Sequence, residues 1–231
     1  MSVFHHSRLM PLATASAAAV FGFWSQPAAQ SEEVRFKVVA PVQVRLAGTS
    51  TLHSWDCTGD RLDLSTRIEL AHQEFHKAVD VAWADALTLP IEFSDKDGIN
   101  GSPLMVKVPI ESLECNRTRM QRDLRETVKY EQHPVIEYEL EAIRESAVSD
   151  EDRETVTMAV TGKLTVAGVS RSVEHRVVIT RLGRDMFQVR GELDLKMSWF
   201  DMEPPTAFLG MLRAHNDFQV EFRFRARTRG L

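Results

Sequence analysis

Between Val156 and Phe224 nearly every apolar side chain of this chain keeps one parity within its run. Val156, Met158, Val160, Leu164 and Val166 alternate with Thr157, Ala159, Thr161, Lys163 and Thr165. Val173, His175, Val177 and Ile179 follow, then Phe187, Val189, Leu193, Leu195, Met197 and Trp199. The last run is Phe218, Val220, Phe222 and Phe224, interleaved with Gln219, Glu221, Arg223 and Arg225. Successive side chains of a strand point to opposite faces, so each run has one dry and one wet face. Buried parallel strands read instead as continuous apolar runs, so the pattern specifies an antiparallel sheet wrapped round one interior.

The remainder fits the same architecture. Phe36 and Val38, then Val42, Val44 and Leu46, alternate before Gly48; Leu62, Leu64, Ile68 and Leu70 form a further run. Val79, Val81 and Trp83 lead as strand into Leu87, Leu89, Ile91 and Phe93, and Val106, Val108 and Ile110 form a strand ending near Cys115. Between Asn116 and Tyr130 the period changes. Met120, Leu124 and Val128 sit four apart, which predicts a short helix with Asn116 as its N-cap and Pro134 beyond its end. Ile136, Tyr138 and Leu140 then resume the alternation. The expected fold is mainly β: a closed antiparallel barrel of about eight strands with one short helix, its interior packed with side chains or holding one slim ligand.

Residues 1–31 carry His5, His6 and Arg8 and no acid, then an alanine-rich apolar stretch, then Ala29-Gln30-Ser31 before Glu32-Glu33. This is the layout of a cleaved secretory signal, so residues 32–231 are expected as a single exported domain in a bacterial periplasm. The apolar stretch is interrupted by Pro11 and by Ser and Thr, which makes it a poor membrane anchor against the ~20 apolar residues a span needs. Cleavage removes one Arg and no acid and moves the net charge from −5 to −6. An acidic balance argues against nucleic acid as a partner. The row Arg223, Arg225, Arg227 and Arg229 reads as a solvated strand face opposite acids such as Glu137, Glu139 and Glu141, with a transient contact to an anionic membrane as the alternative.

Cys57 and Cys115 both lie in the exported part, and an even count in an oxidising compartment favours a disulfide. Two buried free thiols are the alternative; a zinc site is disfavoured because neither cysteine belongs to a CxxC pair. Catalytic signals are weak. No Gly-x-Ser-x-Gly elbow occurs. His72 and His76, flanking Glu74, have metal-ligand spacing but no helical pattern round them, and read as a solvated loop. His53 reads as a hydrogen-bonding strand end. His175 sits at an inward position, as a core histidine or as a polar contact for a ligand headgroup. Nothing implies a cofactor or a metal.

Four segments carry more specific information: Gly48-Thr49-Ser50-Thr51-Leu52-His53-Ser54-Trp55, Tyr130–Tyr138, Gly162–Val173 with its Leu164-Thr165-Val166 hairpin arm, and Pro204-Pro205-Thr206-Ala207-Phe208-Leu209-Gly210. In this order and spacing, over roughly residues 34–228, the chain resembles the YceI-like family of exported lipid-binding proteins. Ser112-Leu113-Glu114-Cys115, followed by a helix, resembles the subgroup with a cysteine at each of two places, which implies a Cys57–Cys115 disulfide. The resemblance implies a lipocalin-like barrel whose apolar cavity holds a polyisoprenoid or similar fatty amphiphile, without catalysis. Together with the inward parity it assigns the lining to Val106, Val108, Ile110, Ile136, Tyr138, Leu140, Leu164, Val166, His175, Val177, Leu193, Leu195 and Phe208. Trp83, Tyr138, Phe187, Trp199, Phe218, Phe222 and Phe224 are bulky inward residues, of a size to fill part of that space. A structural or stress-related protein with a filled barrel is therefore the second expectation, an enzyme acting on a lipid the third, and self-association as a homodimer is compatible with all three.

Overall fold

The computed structural model describes residues 35–66, 80, 83, 89–93, 104–151, 153–207 and 211–229. The strands are β1 (Arg35–Ser50), β2 (Ser54–Gly59), β3 (Asp63–Thr66), β4 (Ile91–Glu92), β5 (Leu104–Pro109), β6 (Leu113–Cys115), β7 (Val135–Val148), β8 (Thr155–Val166), β9 (Val169–Gly183), β10 (Met186–Lys196), β11 (Thr206–Ala207) and β12 (Leu212–Arg229). One α-helix, α1 (Thr118–Thr127), lies between β6 and β7. The hydrogen-bonded order is β3-β5-β7-β8-β9-β10-β12-β1-β2-β6, with β4 added to β7 and β11 to β12. Every pairing is antiparallel. β3, at one end of this ladder, packs against β1 near the other, so the sheet curls round one interior.

The strand count exceeds the expected one in part because β6 and β11 have three and two residues, too few to show alternation. β8, β9, β10 and β12 follow the parity, whereas β7 shifts register between Leu140 and Ala142 and brings Ile143 inward. On β8, Val156, Met158, Val160, Leu164 and Val166 are all buried, and on β10 so are Phe187, Leu193 and Leu195. Register then brings inward residues together across strands: Tyr138 opposite Leu164, Val160 opposite His175, Leu195 opposite Phe218. On the wet side of β5, β7 and β8 two cross-strand pairs are of opposite charge. Lys107 bonds Glu137 at 2.7 Å and Lys163 bonds Glu139 at 2.6 Å. The β8–β9 hairpin turns through Ala167 and Gly168, at φ 52° and 81°. Two consecutive positive φ values match the right-handed twist of the flanking strands. A Cβ on Gly168 would also come within 2.6 Å of the His133 ring.

Several expectations need correcting. The strand through Val106 and Val108 stops at Pro109; Ile110–Ser112 is a 3-10 turn with Ile110 fully buried. Asn116 does not cap the helix. Arg117 occupies the N-cap without a side-chain bond, and Gln121 ties the first turn to β6 by accepting from Cys115 N and donating to Leu113 O, both at 2.8 Å. Trp199 leaves the inward row because β10 ends at Lys196 and Met197–Phe200 is a second 3-10 turn. Its three-residue period buries Met197 and Phe200 and turns Trp199 to solvent, 40% exposed. Asp80 and Trp83 are helical rather than extended. Trp83 nonetheless faces inward, its indole N–H donating to Glu154 O at 3.0 Å and its ring lying under the Arg181 guanidinium at 4.8 Å. Glu137, Glu139 and Glu141 do not face the arginine row of β12, since β8, β9 and β10 lie between β7 and β12. His72, His76 and the first 31 residues lie outside the described residues.

Candidate ligand cavity

The concave side of the curled sheet lines a cavity of about 690 Å³. Its walls come from the dry faces of the long strands: Val44 and Leu46 of β1, Val106 and Val108 of β5, Ile136, Tyr138 and Leu140 of β7, Met158, Val160, Leu164 and Val166 of β8. His175, Val177 and Ile179 of β9, Phe187, Val189, Leu193 and Leu195 of β10, and Phe218, Val220, Phe222 and Phe224 of β12 complete the round. Leu124, Thr127 and Val128, from α1 and the residue after it, and Met197 and Met202 also line the cavity. All of these but Thr127 pack with Leu164, Val166 and Leu195 in one apolar cluster that includes Phe200, 0% exposed.

The lining is almost pure carbon. The indole N–H of Trp55 donates to Thr49 O at 3.2 Å, that of Trp83 to Glu154 O, and the Thr127 hydroxyl to Asp123 O at 2.7 Å. Two polar atoms on the wall have no partner among the described residues, Tyr138 Oη and His175 Nδ1. Their rings meet edge to face with centroids 5.3 Å apart, and the His175 ring meets Phe222 in the same way at 6.3 Å. The Tyr138 ring lies over Gly162, where a Cβ would come within 2.2 Å of it. Any residue larger than glycine there would push the ring into the cavity. Burial, with the Glu141 carboxylate adding to it, pushes the Tyr138 phenol up, and burial pushes the His175 imidazole down to about 4. Both are neutral at pH 7. A charged group brought inside would lose its hydration and meet no counter-charge, so the interior suits hydrocarbon. Among the described residues no cluster of three or more His, Cys, Asp or Glu could hold a metal.

Of the residues assigned to the lining from the sequence, Val106, Val108, Ile136, Tyr138, Leu140, Leu164, Val166, His175, Val177, Leu193 and Leu195 border the cavity. Ile110 does not, because the turn after Pro109 packs it into the cluster round Phe200. Phe208 lies outside the described residues. Met158, Val160 and Ile179 also border the cavity and were legible from the same alternation. Leu124, Thr127 and Val128 were not, because a helical stripe does not say what it packs on. Trp55 lines the cavity at the end of the Gly48–Trp55 segment, and Gly48 makes room for its ring. His53 serves the same turn through its backbone, its carbonyl accepting from Ser50 N at 2.9 Å and Ser50 Oγ at 2.8 Å.

A family model of the YceI-like domain matches residues 65–226, from β3 to β12. The chain belongs to the YceI-like family. The match leaves β1 and β2, with the Gly48–Trp55 turn, ahead of its first residue. Among solved structures, the chain is similar to a polyisoprenoid-binding domain from Saccharophagus degradans, implicated in plant cell wall breakdown (TM-score 0.56, 12% identity, 86% of this chain and 99% of that one). It is also similar to BcnA of Burkholderia cenocepacia (TM-score 0.51, 13% identity, 80% and 95%). At these identities the likeness is one of fold. No curated protein matches the chain. The YceI-like fold of this chain carries its two cysteines as a disulfide, Cys57–Cys115, joining residues opposite each other on β2 and β6.

Proposed function

We propose that this YceI-like protein is an exported, non-enzymatic carrier that holds a polyisoprenoid or similar amphiphilic chain in its cavity. The observation that carries the reading is the cavity itself, about 690 Å³ of space walled by carbon. Binding sites for small molecules fall in the range of ~300–1,000 Å³. A polyprenyl tail has nothing to hydrogen-bond, so its affinity comes from apolar area removed from water, at ~25 cal/mol per Å². A curled sheet suits it because the wall's backbone polar groups are spent in the ladder. The Saccharophagus domain, described as polyisoprenoid-binding, supports the ligand class. Export to the periplasm is supported by the signal-like pattern of residues 1–31 and by the disulfide, which belongs to an oxidising compartment. The bulky inward residues leave this space open, which counts against a filled barrel.

Enlarging a wall residue separates the two readings. Val108 lines the cavity opposite Ile136 on the neighbouring strand. In a carrier, Val108→Trp places its ring in the space the chain occupies. It should abolish lipid co-purification while shifting the unfolding midpoint little. In a filled barrel the same change overpacks the core and costs roughly 1–3 kcal/mol. Co-purification at wild-type stoichiometry from a folded Val108→Trp protein would contradict the assignment of the cavity as the site.

A further inference from the structure

The outer face of β1, β10 and β12 carries charge of one sign where the face of β5, β7 and β8 is paired. Arg190 of β10 lies directly opposite Arg223 of β12, and Lys37 of β1 directly opposite Arg227. Arg225 lies between them, with Val39 and Gln188 as its cross-strand partners. All five cations are exposed. None of them has an ion pair or a side-chain hydrogen bond among the described residues, whereas Lys107 and Lys163 each hold a carboxylate across the strand gap. The nearest acids on these strands adjoin the Arg190–Arg223 pair at one end of the patch. Glu192 and Glu221 face each other there, and Glu221 is already engaged by Arg45 at 3.1 Å. Like charges placed directly opposite in a sheet destabilise it. Here cations face cations in two register positions of a chain whose net charge is −5. A basic face kept against the overall charge, and without internal acids, is built for a counter-charge that the described residues do not supply.

We propose that this face docks on an anionic lipid surface. The choice of partner rests on the carrier reading. A lipid whose long tail is insoluble in water is loaded or released at a bilayer, and the inner side of the same wall, Phe36, Val189 and Phe224, borders the cavity. Five guanidinium or ammonium groups on one sheet face complement the phosphates of such a surface. The contact is electrostatic, reversible and weakened by salt.

The test is flotation of the protein with vesicles of phosphatidylglycerol in phosphatidylcholine, against phosphatidylcholine alone. The expected result is binding to the anionic vesicles only, lost as salt is raised. Each cation near an anionic surface contributes roughly fivefold. Arg190→Gln, Arg223→Gln and Arg225→Gln together should weaken vesicle binding about a hundredfold while leaving the circular dichroism spectrum unchanged. Lys107→Gln with Lys163→Gln, on the paired face, should change it by no more than a few-fold. Equal binding to neutral vesicles, an unchanged triple variant, or the same loss from the paired-face variant would overturn the proposal. So would a DNA duplex that competes with the vesicles at equal phosphate concentration. The two readings fail separately. Vesicle binding through the patch by a protein that carries no lipid refutes the cargo and keeps the docking face; a lipid-loaded protein that ignores anionic vesicles does the reverse.

Discussion

Leu195→Asp is expected to destabilise the protein by roughly 4 kcal/mol, a large part of the stability of an ordinary domain. Leu195 is 3% exposed and sits opposite Phe218 within the cluster round Phe200. The substitution removes its transfer free energy and sets a carboxylate against carbon, with no cation on that face to receive it. Asp194, one residue earlier, points the other way and accepts a hydrogen bond from Gln219 at the exposed surface at 3.1 Å. Asp194→Asn should therefore cost no more than about 0.5 kcal/mol. Urea denaturation followed by tryptophan fluorescence measures both. Similar midpoints for the two variants would mean that the sheet has no dry side at this position.

Loss of the disulfide has the second large effect. The bond links Cys57 and Cys115, 58 positions apart, and joins β2 to β6 at one end of the ladder. Closing a loop of that length restricts the unfolded chain by about 4 kcal/mol on the chain-entropy account. β6 has three residues and pairs with β2 through three positions, so little else in the sheet holds it there. Replacing both cysteines by alanine should lower the denaturation midpoint by an amount close to that figure and leave the far-ultraviolet circular dichroism almost unchanged. Thiol titration of the unreduced, denatured wild-type protein should find no free thiol. Two reactive thiols, or an unaltered midpoint in the double variant, would contradict the role assigned to the bond.

The alternation from Val156 to Phe224 was enough to read the antiparallel sheet, its inward face and most of the cavity wall. It worked because β8, β9, β10 and β12 are long, and one buried face repeats its signal many times in eleven to eighteen residues. Where an element is short the signal disappears. The turn that removes Ile110 from the wall and the one that turns Trp199 outward are three and four residues long. Each changes the period from two to three without a glycine or a proline inside it. Trp83 shows the opposite limit: its inward position was legible, its helical backbone was not. The charge pattern failed for another reason. Alternation says which residues are wet but not which strands are neighbours, so the arginines of β12 were matched to acids of β7 that the ladder order keeps apart. The cavity also lies beyond pattern reading. Whether inward side chains meet at the centre depends on the curvature of the sheet, and here Phe187, Phe218, Phe222 and Phe224 line a space without closing it.

Whether this space holds a lipid is tested directly by protein purified from a bacterial periplasm without detergent, extracted with organic solvent and analysed by mass spectrometry. One isoprenoid or comparable long-chain amphiphile per protein molecule is expected, absent from the extract of Val108→Trp. A clean extract from a folded protein that also fails to take up an added polyprenol would contradict the carrier reading.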